Sequence, residues 1–264
     1  MRWRGTYSRV YFCQASFSQK DQGANIYTRD LLSGRLPKQE KNMKNTLIND
    51  VQNVFDSWAQ SGRADTMEQG HTINARRAFE RLNIHPGQRY LDVGCGNGYS
   101  VRWAAEIDPS VQAIGVDVAE GMVTHARTLS ENTPNARFIH ASFPFPELKA
   151  ECFDAIFSME VLYYLEDLTW ALQHVRRLLK PGGMFVSTVD FYQENAASHS
   201  WPTDVGLTMN LLSAAQWKAA FEKVGLEVVA QEQLKHDVQP GETPTWQHEI
   251  GSLMTLAKRT EDAS

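Results

Sequence analysis

The chain has 264 residues and only three cysteines, Cys13, Cys95 and Cys152. They form no Cys-x-x-Cys pair and no Cys/His cluster, so neither a disulfide framework nor a zinc site is indicated, and a reducing, cytoplasmic setting without a metal is the expectation. No run of 18 or more apolar residues occurs, so no segment reads as a membrane-spanning helix and no membrane partner is expected. Positive charge is not in excess either: 26 Lys/Arg face 31 Asp/Glu, for a net charge of -5. That balance disfavours a protein that holds nucleic acid chiefly by neutralising phosphates, and no nucleic-acid partner is expected. Internal repeats and low-complexity tracts are missing as well. What remains is ordinary for a globular protein, 42% hydrophobic and 22% charged, with enough mass for one large core.

The first 42 residues differ in kind from the rest. They carry eight Lys/Arg against three acids, so the -5 of the whole chain becomes -10 for residues 43–264. With no sustained helical or strand period, residues 1–42 read as a disordered basic tail. An Arg- and Ser-bearing start with no acid before Asp21 also fits an organelle transit peptide, and Met43 fits a start site preceded by an upstream one. Residues 43–264 are expected to form one domain.

Within that domain strands and helices alternate. Apolar spacing predicts helices over 47–60 and 72–82, the second closed by His85-Pro86-Gly87. Strands follow over 89–93, 111–117, 136–141, 153–158 and 184–190, with helices over 99–106, 120–130 and 168–179 between them. In the last helix apolar residues at 168, 171, 172, 175, 178 and 179 form one stripe, Asp167 can cap the start, and Lys180-Pro181-Gly182-Gly183 stops it. Beyond an irregular segment come a helix over 213–224 and two strands, 226–234 and 248–258, joined without a helix and read as an antiparallel hairpin. The expected fold is α/β: a three-layer α/β/α Rossmann-like sandwich on a mostly parallel seven-stranded sheet with an antiparallel terminal hairpin.

Ligands of such sheets bind beyond the carboxyl ends of the strands, where strand order switches. There the sequence Tyr-Leu-Asp-Val-Gly-Cys-Gly-Asn-Gly-Tyr-Ser, residues 90–100, places Gly94, Gly96 and Gly98 at the exit of a strand. Glycines allow a sharp turn and a close approach of backbone to ligand. A nicotinamide-type Gly-x-Gly-x-x-Gly turn would need glycine at 99, where Tyr99 stands, and a tight turn without a ligand is the plain alternative. Asp117, 19 positions after Gly98, ends the second strand. Its carboxylate can accept both hydroxyls of a ribose, or cap the helix that follows.

These residues and the later segments together resemble the class I S-adenosylmethionine-dependent methyltransferases. The resemblance rests on LDVGCGNG, AIGVDVAEGMVTHAR, ARFIHASFPFP, FDAIFSMEVLYYLED and LLKPGGMFVSTVD, in that order, and covers about Thr72 to Asp190, most of the core. It implies S-adenosyl-L-methionine as cofactor, with Asp92, Gly94, Cys95 and Gly96 around the methionine moiety, Asp117 on the ribose and Val118 against the adenine. Ala141, Ser142 and Phe143 would frame the adenine edge, and Met159 and Glu160 would border cofactor and acceptor. Many relatives carry an aspartate where this chain has His140-Ala141-Ser142-Phe143, so Ser142 or backbone would take its place.

In-line displacement of a methyl group needs positioning and exclusion of water, and a base only if the acceptor must lose a proton early. Candidate bases are His199, in a polar-aromatic stretch over 191–213 that reads as a substrate lid, Tyr163 beside Tyr164, and His71. Solvated or packing roles are the plain alternatives for all three. Trp58 is a further candidate to close the pocket. A small-molecule acceptor is expected because no RNA-binding module accompanies the domain. A protein or tRNA acceptor, a nicotinamide-dependent dehydrogenase and a non-catalytic cofactor-binding protein are the alternatives.

Overall fold

The structure, a computed structural model, describes residues 38–61, 63–145 and 148–261. The expected tail lies outside the described residues as far as position 37. Its last positions fall in the first helix, α1 (Lys38–Gln60), which precedes α2 (Arg63–Glu80). There follow β1 (Arg89–Val93), α3 (Tyr99–Ile107), β2 (Gln112–Asp117), α4 (Glu120–Leu129), β3 (Ala136–His140), β4 (Phe153–Met159), α5 (Leu168–Leu178) and β5 (Leu179–Val189). The chain continues through α6 (Trp201–Val205), α7 (Ala214–Lys223), β6 (Leu226–Leu234), α8 (Trp246–Glu249) and β7 (Ser252–Arg259).

The seven strands form one sheet in the order β3-β2-β1-β4-β5-β7-β6. Pairings among β1 to β5 are parallel and those of β7 with β5 and β6 antiparallel. This is the expected three-layer sandwich. Side chains alternate across the sheet as strand pleating requires: Tyr90 faces a core shared with Ala75, Phe79 and Ala104, whereas Leu91 and Val93 face one shared with Leu172, Leu178 and Phe221. Helices α2, α3 and α4 therefore cover one face and α5 and α7 the other, and α1 packs on α4 through Phe55, Trp58 and Ala59 against Ala119 and Met122.

Local signals account for most boundaries. Asp167 Oδ1 accepts from Trp170 N at 2.9 Å, which fixes the start of α5 as expected. Ser213 and Gln216 form a reciprocal capping box at the start of α7. Two expectations need correction. Lys180–Gly183 does not separate helix from strand. Leu179 already pairs with Phe153 and the next pair is Met184 with Ala155, so the four residues form an irregularity within β5, held by Lys180 Nζ on both oxygens of Asp154 at 2.7 and 2.8 Å. The connection between β6 and β7 does contain a helix, the single turn α8. Thr245 and His248 cap it reciprocally, and the strand begins only at Ser252, after Gly251 turns the chain at φ 78°.

Gly98 shows what the turn after β1 demands. Its φ is 81°, and a Cβ placed there would overlap the ring of Phe138 and approach Ala126 Cβ to 3.1 Å. Gly98→Val is therefore expected to cost at least ~3 kcal/mol, from left-handed backbone strain plus overpacking. Denaturant unfolding would show it as a lowered midpoint, and a midpoint equal to wild type would contradict the packing described.

Candidate active site

Strand order reverses between β1 and β4, since β2 and β3 lie on one side of β1 and β4 and β5 on the other. At the carboxyl ends of these strands lies a cleft of about 240 Å³. Gly94 to Asn97 line one part of it, Val116 to Val118 and Met122 another, and Ala141 to Pro144, Met159 to Val161 and Tyr164 to Asp167 the rest. Ile48, Val51 and Phe55 of α1 also border it, from the side of α4, on which α1 rests.

Backbone hydrogen bonds shape the glycine turn. The amides of Gly94 and Cys95 donate to Val116 O at 2.8 and 3.1 Å, and Gly98 N donates to Cys95 O at 2.8 Å. Gly96 differs from its neighbours. At φ 51° it too is left-handed, but a Cβ added there would meet nothing within 4 Å, so the backbone is bared toward open space. Gly94, by contrast, is pressed against the side chain of Val161. A turn that presents bare backbone to a cavity fits a ligand approaching closely at Gly96.

Asp117 ties two sides of the cleft together. Its Oδ2 accepts from Gly96 N at 2.8 Å and its Oδ1 from Ala119 N at 2.9 Å. Asp117 is thus not the N-cap of α4, which is Ala119, but bonds its amide, and each oxygen retains capacity for a further donor because an ionised carboxylate offers about four lone-pair sites. Burial raises the pKa of Asp117, opposed by the bonds from Ala119 and Gly96. Asp92 lies beneath the turn and does not line the cleft. It accepts from Ser100 Oγ, its Oδ1 has no partner, and burial lifts its pKa to about 7. Burial likewise raises the Cys95 thiol.

The remaining expected residues separate into those the fold brings together and those it does not. Val118, Ser142, Phe143 and Met159 line the cleft with Gly94, Cys95, Gly96 and Asp117. Phe143 is held edge-on to His174, centroids 5.3 Å apart. His71 also lines the cleft, and burial lowers its pKa to about 4, so it is neutral at neutral pH. Tyr163 is buried behind the wall, where its hydroxyl donates to Glu160 Oε2 at 2.9 Å, so it can act only through Glu160. His199 is exposed, with Nε2 3.1 Å from Gln193 O, and does not line the cleft. His199→Ala is expected to change methyl transfer less than about twofold, as solvated surface substitutions do; a larger loss in a turnover assay would return His199 to the site.

None of residues 191–213 lines the cleft. Phe191 and Tyr192 are instead buried, Tyr192 donating to Gly251 O at 3.0 Å, so the start of the stretch is packed into the domain, while residues such as Gln193, Glu194 and His199 face solvent away from the cleft where a lid was expected. Trp58 does not line it either and packs against Phe55, centroids 4.9 Å apart. Sequence reasoning missed Ile48, Val51 and Phe55, whose helical spacing was nevertheless visible, and Asp190, which carried no local signal. The structure brings His71, Glu160 and Asp190 within 4.8 Å of one another from three distant segments.

The fold and the cleft define an α/β protein with its candidate site at the strand-order switch, where ligands of such sheets bind. A family profile described as a methyltransferase domain matches residues 91–187. The structure of a putative methyltransferase in complex with the Trm112 methyltransferase activator of Haloferax volcanii is similar at 30% identity and TM-score 0.71, over 78% of this chain and 98% of that one. An O-methyltransferase of Aspergillus sclerotiorum, resE, is 30% identical over 52% of this chain and 54% of its own length. A tRNA U34 carboxymethyltransferase of Idiomarina loihiensis is 34% identical over 42% of this chain and 35% of its own. The chain spans about half the length of the curated relatives it matches. It belongs to the class I S-adenosylmethionine-dependent methyltransferases, whose cofactor is S-adenosyl-L-methionine. Among the described residues no helix is long and apolar enough to cross a membrane.

Proposed function

We propose that the protein transfers a methyl group from S-adenosylmethionine to a small-molecule acceptor. The observation that carries this reading is the pairing of an open, bare backbone at Gly96 with the cleft-lining carboxylate of Asp117, bonded to the Gly96 amide. S-adenosylmethionine, when bound, supplies an electrophilic methyl carbon on a sulfonium. Gly94, Cys95 and Gly96 would hold its methionine end, with Asp92 supporting the turn from below. Asp117 would accept from the ribose hydroxyls, and Val118, Ser142 and Phe143 would enclose the adenine. Met159 would border the region between cofactor and acceptor. Residues on the acceptor side of the cleft would hold the acceptor with its lone pair facing the methyl carbon. Apolar walls that exclude water and fix the approach supply the acceleration.

A small acceptor is supported by the cleft's character. Its acidic and imidazole lining is His71, Asp117, Glu160, Glu166 and Asp167, and no Lys or Arg lines it among the described residues, which offers little to a phosphate backbone. A protein or tRNA acceptor is the second reading, favoured by the likeness to the Haloferax protein solved with its activator and to the tRNA-modifying relative. Calorimetry with S-adenosylhomocysteine and with a nicotinamide dinucleotide tests the cofactor: binding of the first alone is expected, and binding of the second alone would overturn the reading. Methyl transfer from radiolabelled cofactor into metabolite and RNA extracts distinguishes the acceptors.

A further inference from the structure

On the side of the cleft where Val161 meets Gly94, the lining residues His71 and Glu160 form a cluster with the buried Asp190, which does not itself line the cleft, and the cofactor reading leaves this cluster unused. It is assembled from His71 on α2, Glu160 after β4 and Asp190 after β5, with one potential ligand atom of each within 4.8 Å of the others. His71 Nε2 is 4.0 Å from Asp190 Oδ2. Glu160 sits at φ 59°, outside the strand conformation, with its amide on Thr188 O at 3.0 Å. Its Oε1 accepts from Asp190 N at 2.5 Å and its Oε2 from Tyr163. Asp190 is 3% exposed, and its Oδ1 has no hydrogen-bond partner.

Electrostatically the cluster gathers acidic groups with little to balance them. Burial lifts Asp190 to about 6, opposed by a hydrogen bond from Ser252 and by His236, and burial together with the charge of Asp190 raises Glu160 well above the carboxylate range. His71, neutral by burial, does not compensate them. The nearby guanidinium of Arg63 is placed over the ring of Trp58, 4.1 Å from its centroid. Two buried carboxyl groups so arranged favour the binding of a cation beside them.

We propose that this cluster is the acceptor pocket and that the acceptor is an amine on an apolar body, bound as its ammonium by Glu160 and His71, with Asp190 positioning Glu160. The inference rests on the reading of the cleft as a methyltransferase site. Spacing selects the ammonium. His71 Nε2 and Asp190 Oδ2 stand 4.0 Å apart, wider than the ~3 Å between adjacent ligands of a small hard cation bound at ~2.1 Å, so the cluster suits the larger ammonium. An alcohol brings one proton and would leave buried acceptors unpaired, and a phosphate or carboxylate would be repelled. Tyr164 and Phe55, edge to face with centroids 5.6 Å apart, line the same cleft and offer aromatic surface to a cation. For reaction the ammonium gives one proton to the Glu160 carboxylate, which becomes the neutral acid. The nitrogen keeps the lone pair that forms the new bond to carbon, and the product leaves as the methylated ammonium.

The experiment is calorimetry and thermal shift on the full chain. Binding of S-adenosylhomocysteine is measured first; its failure would remove the methyltransferase reading itself. With the protein saturated, phenethylamine, tryptamine and octylamine are compared with the corresponding alcohols and with phenylacetate, and with magnesium and zinc ions alone. Amines are expected to bind at least ~10-fold more tightly than the alcohols, the weight of one charge-assisted hydrogen bond. Glu160→Gln and His71→Ala are each expected to abolish that preference while S-adenosylhomocysteine binding stays within about twofold of wild type; His71→Ala serves if the Gln variant fails to fold. Equal binding of alcohols and amines, an unaltered preference in both variants, or metal binding that Glu160→Gln removes would each overturn the proposal.

Discussion

Gly96→Val is expected to abolish measurable S-adenosylhomocysteine binding, a loss of more than ~100-fold, while the domain stays folded. The two halves of this expectation come from one observation. A side chain at Gly96 meets no protein atom within 4 Å, so the core is undisturbed and the only folding penalty is the left-handed backbone, ~1–2 kcal/mol for a non-glycine residue. The branched side chain would instead occupy the space into which the ligand must bring its atoms. Calorimetry for binding and circular dichroism melting for the fold read the halves separately. The contrast with Gly98→Val gives the test its power, because that substitution is expected to strike packing. Normal binding by Gly96→Val would take the turn out of the site.

Asp117→Ala should weaken S-adenosylhomocysteine by ~100-fold or more, from two charge-assisted hydrogen bonds worth ~1.5–3 kcal/mol each. Part of that loss is indirect, because the carboxylate also holds the amides of Gly96 and Ala119 at 2.8 and 2.9 Å. Asp117→Asn separates the contributions. The amide keeps one acceptor oxygen for the backbone but turns its other end into a donor, so it should retain most of the thermal stability and still lose affinity. Affinity unchanged in both variants would reject Asp117 as a ribose ligand, and a stability loss equal in both would leave it a clamp alone.

Cofactor and acceptor sides of the cleft differ in how far a linear reading reaches. The glycine turn, Asp117, Val118, Ser142, Phe143 and Met159 all fall at carboxyl ends of strands whose bounds were recognisable, and all but Asp92 of the expected cofactor residues line the cleft. Histidines in loops carry no comparable signal. His199 sits in a polar stretch that resembles a lid, yet the apolar residues at its start, Phe191 and Tyr192, are drawn into the core and take the stretch away from the cleft. Glu160 was expected beside cofactor and acceptor, but nothing in the sequence joined it to Asp190, which ends the fifth strand. Their encounter follows from β4 and β5 pairing in register, Met159 beside Thr188, which places the residues just beyond both strands side by side.

The amino-acid sequence alone determined the order of the strands and of the helices other than α6 and α8, the turn after β1 and the acid ending β2, and its motifs carried the family resemblance. The elements and the turn depend on apolar period, capping or glycine among near neighbours, interactions that act locally along the chain. Tertiary structure decided which helix borders the cleft, that the stretch at 191–213 does not, and that His71, Glu160 and Asp190 meet. Those outcomes are set by distances through space between segments far apart in the chain, where burial against other elements overrides what each segment favours by itself.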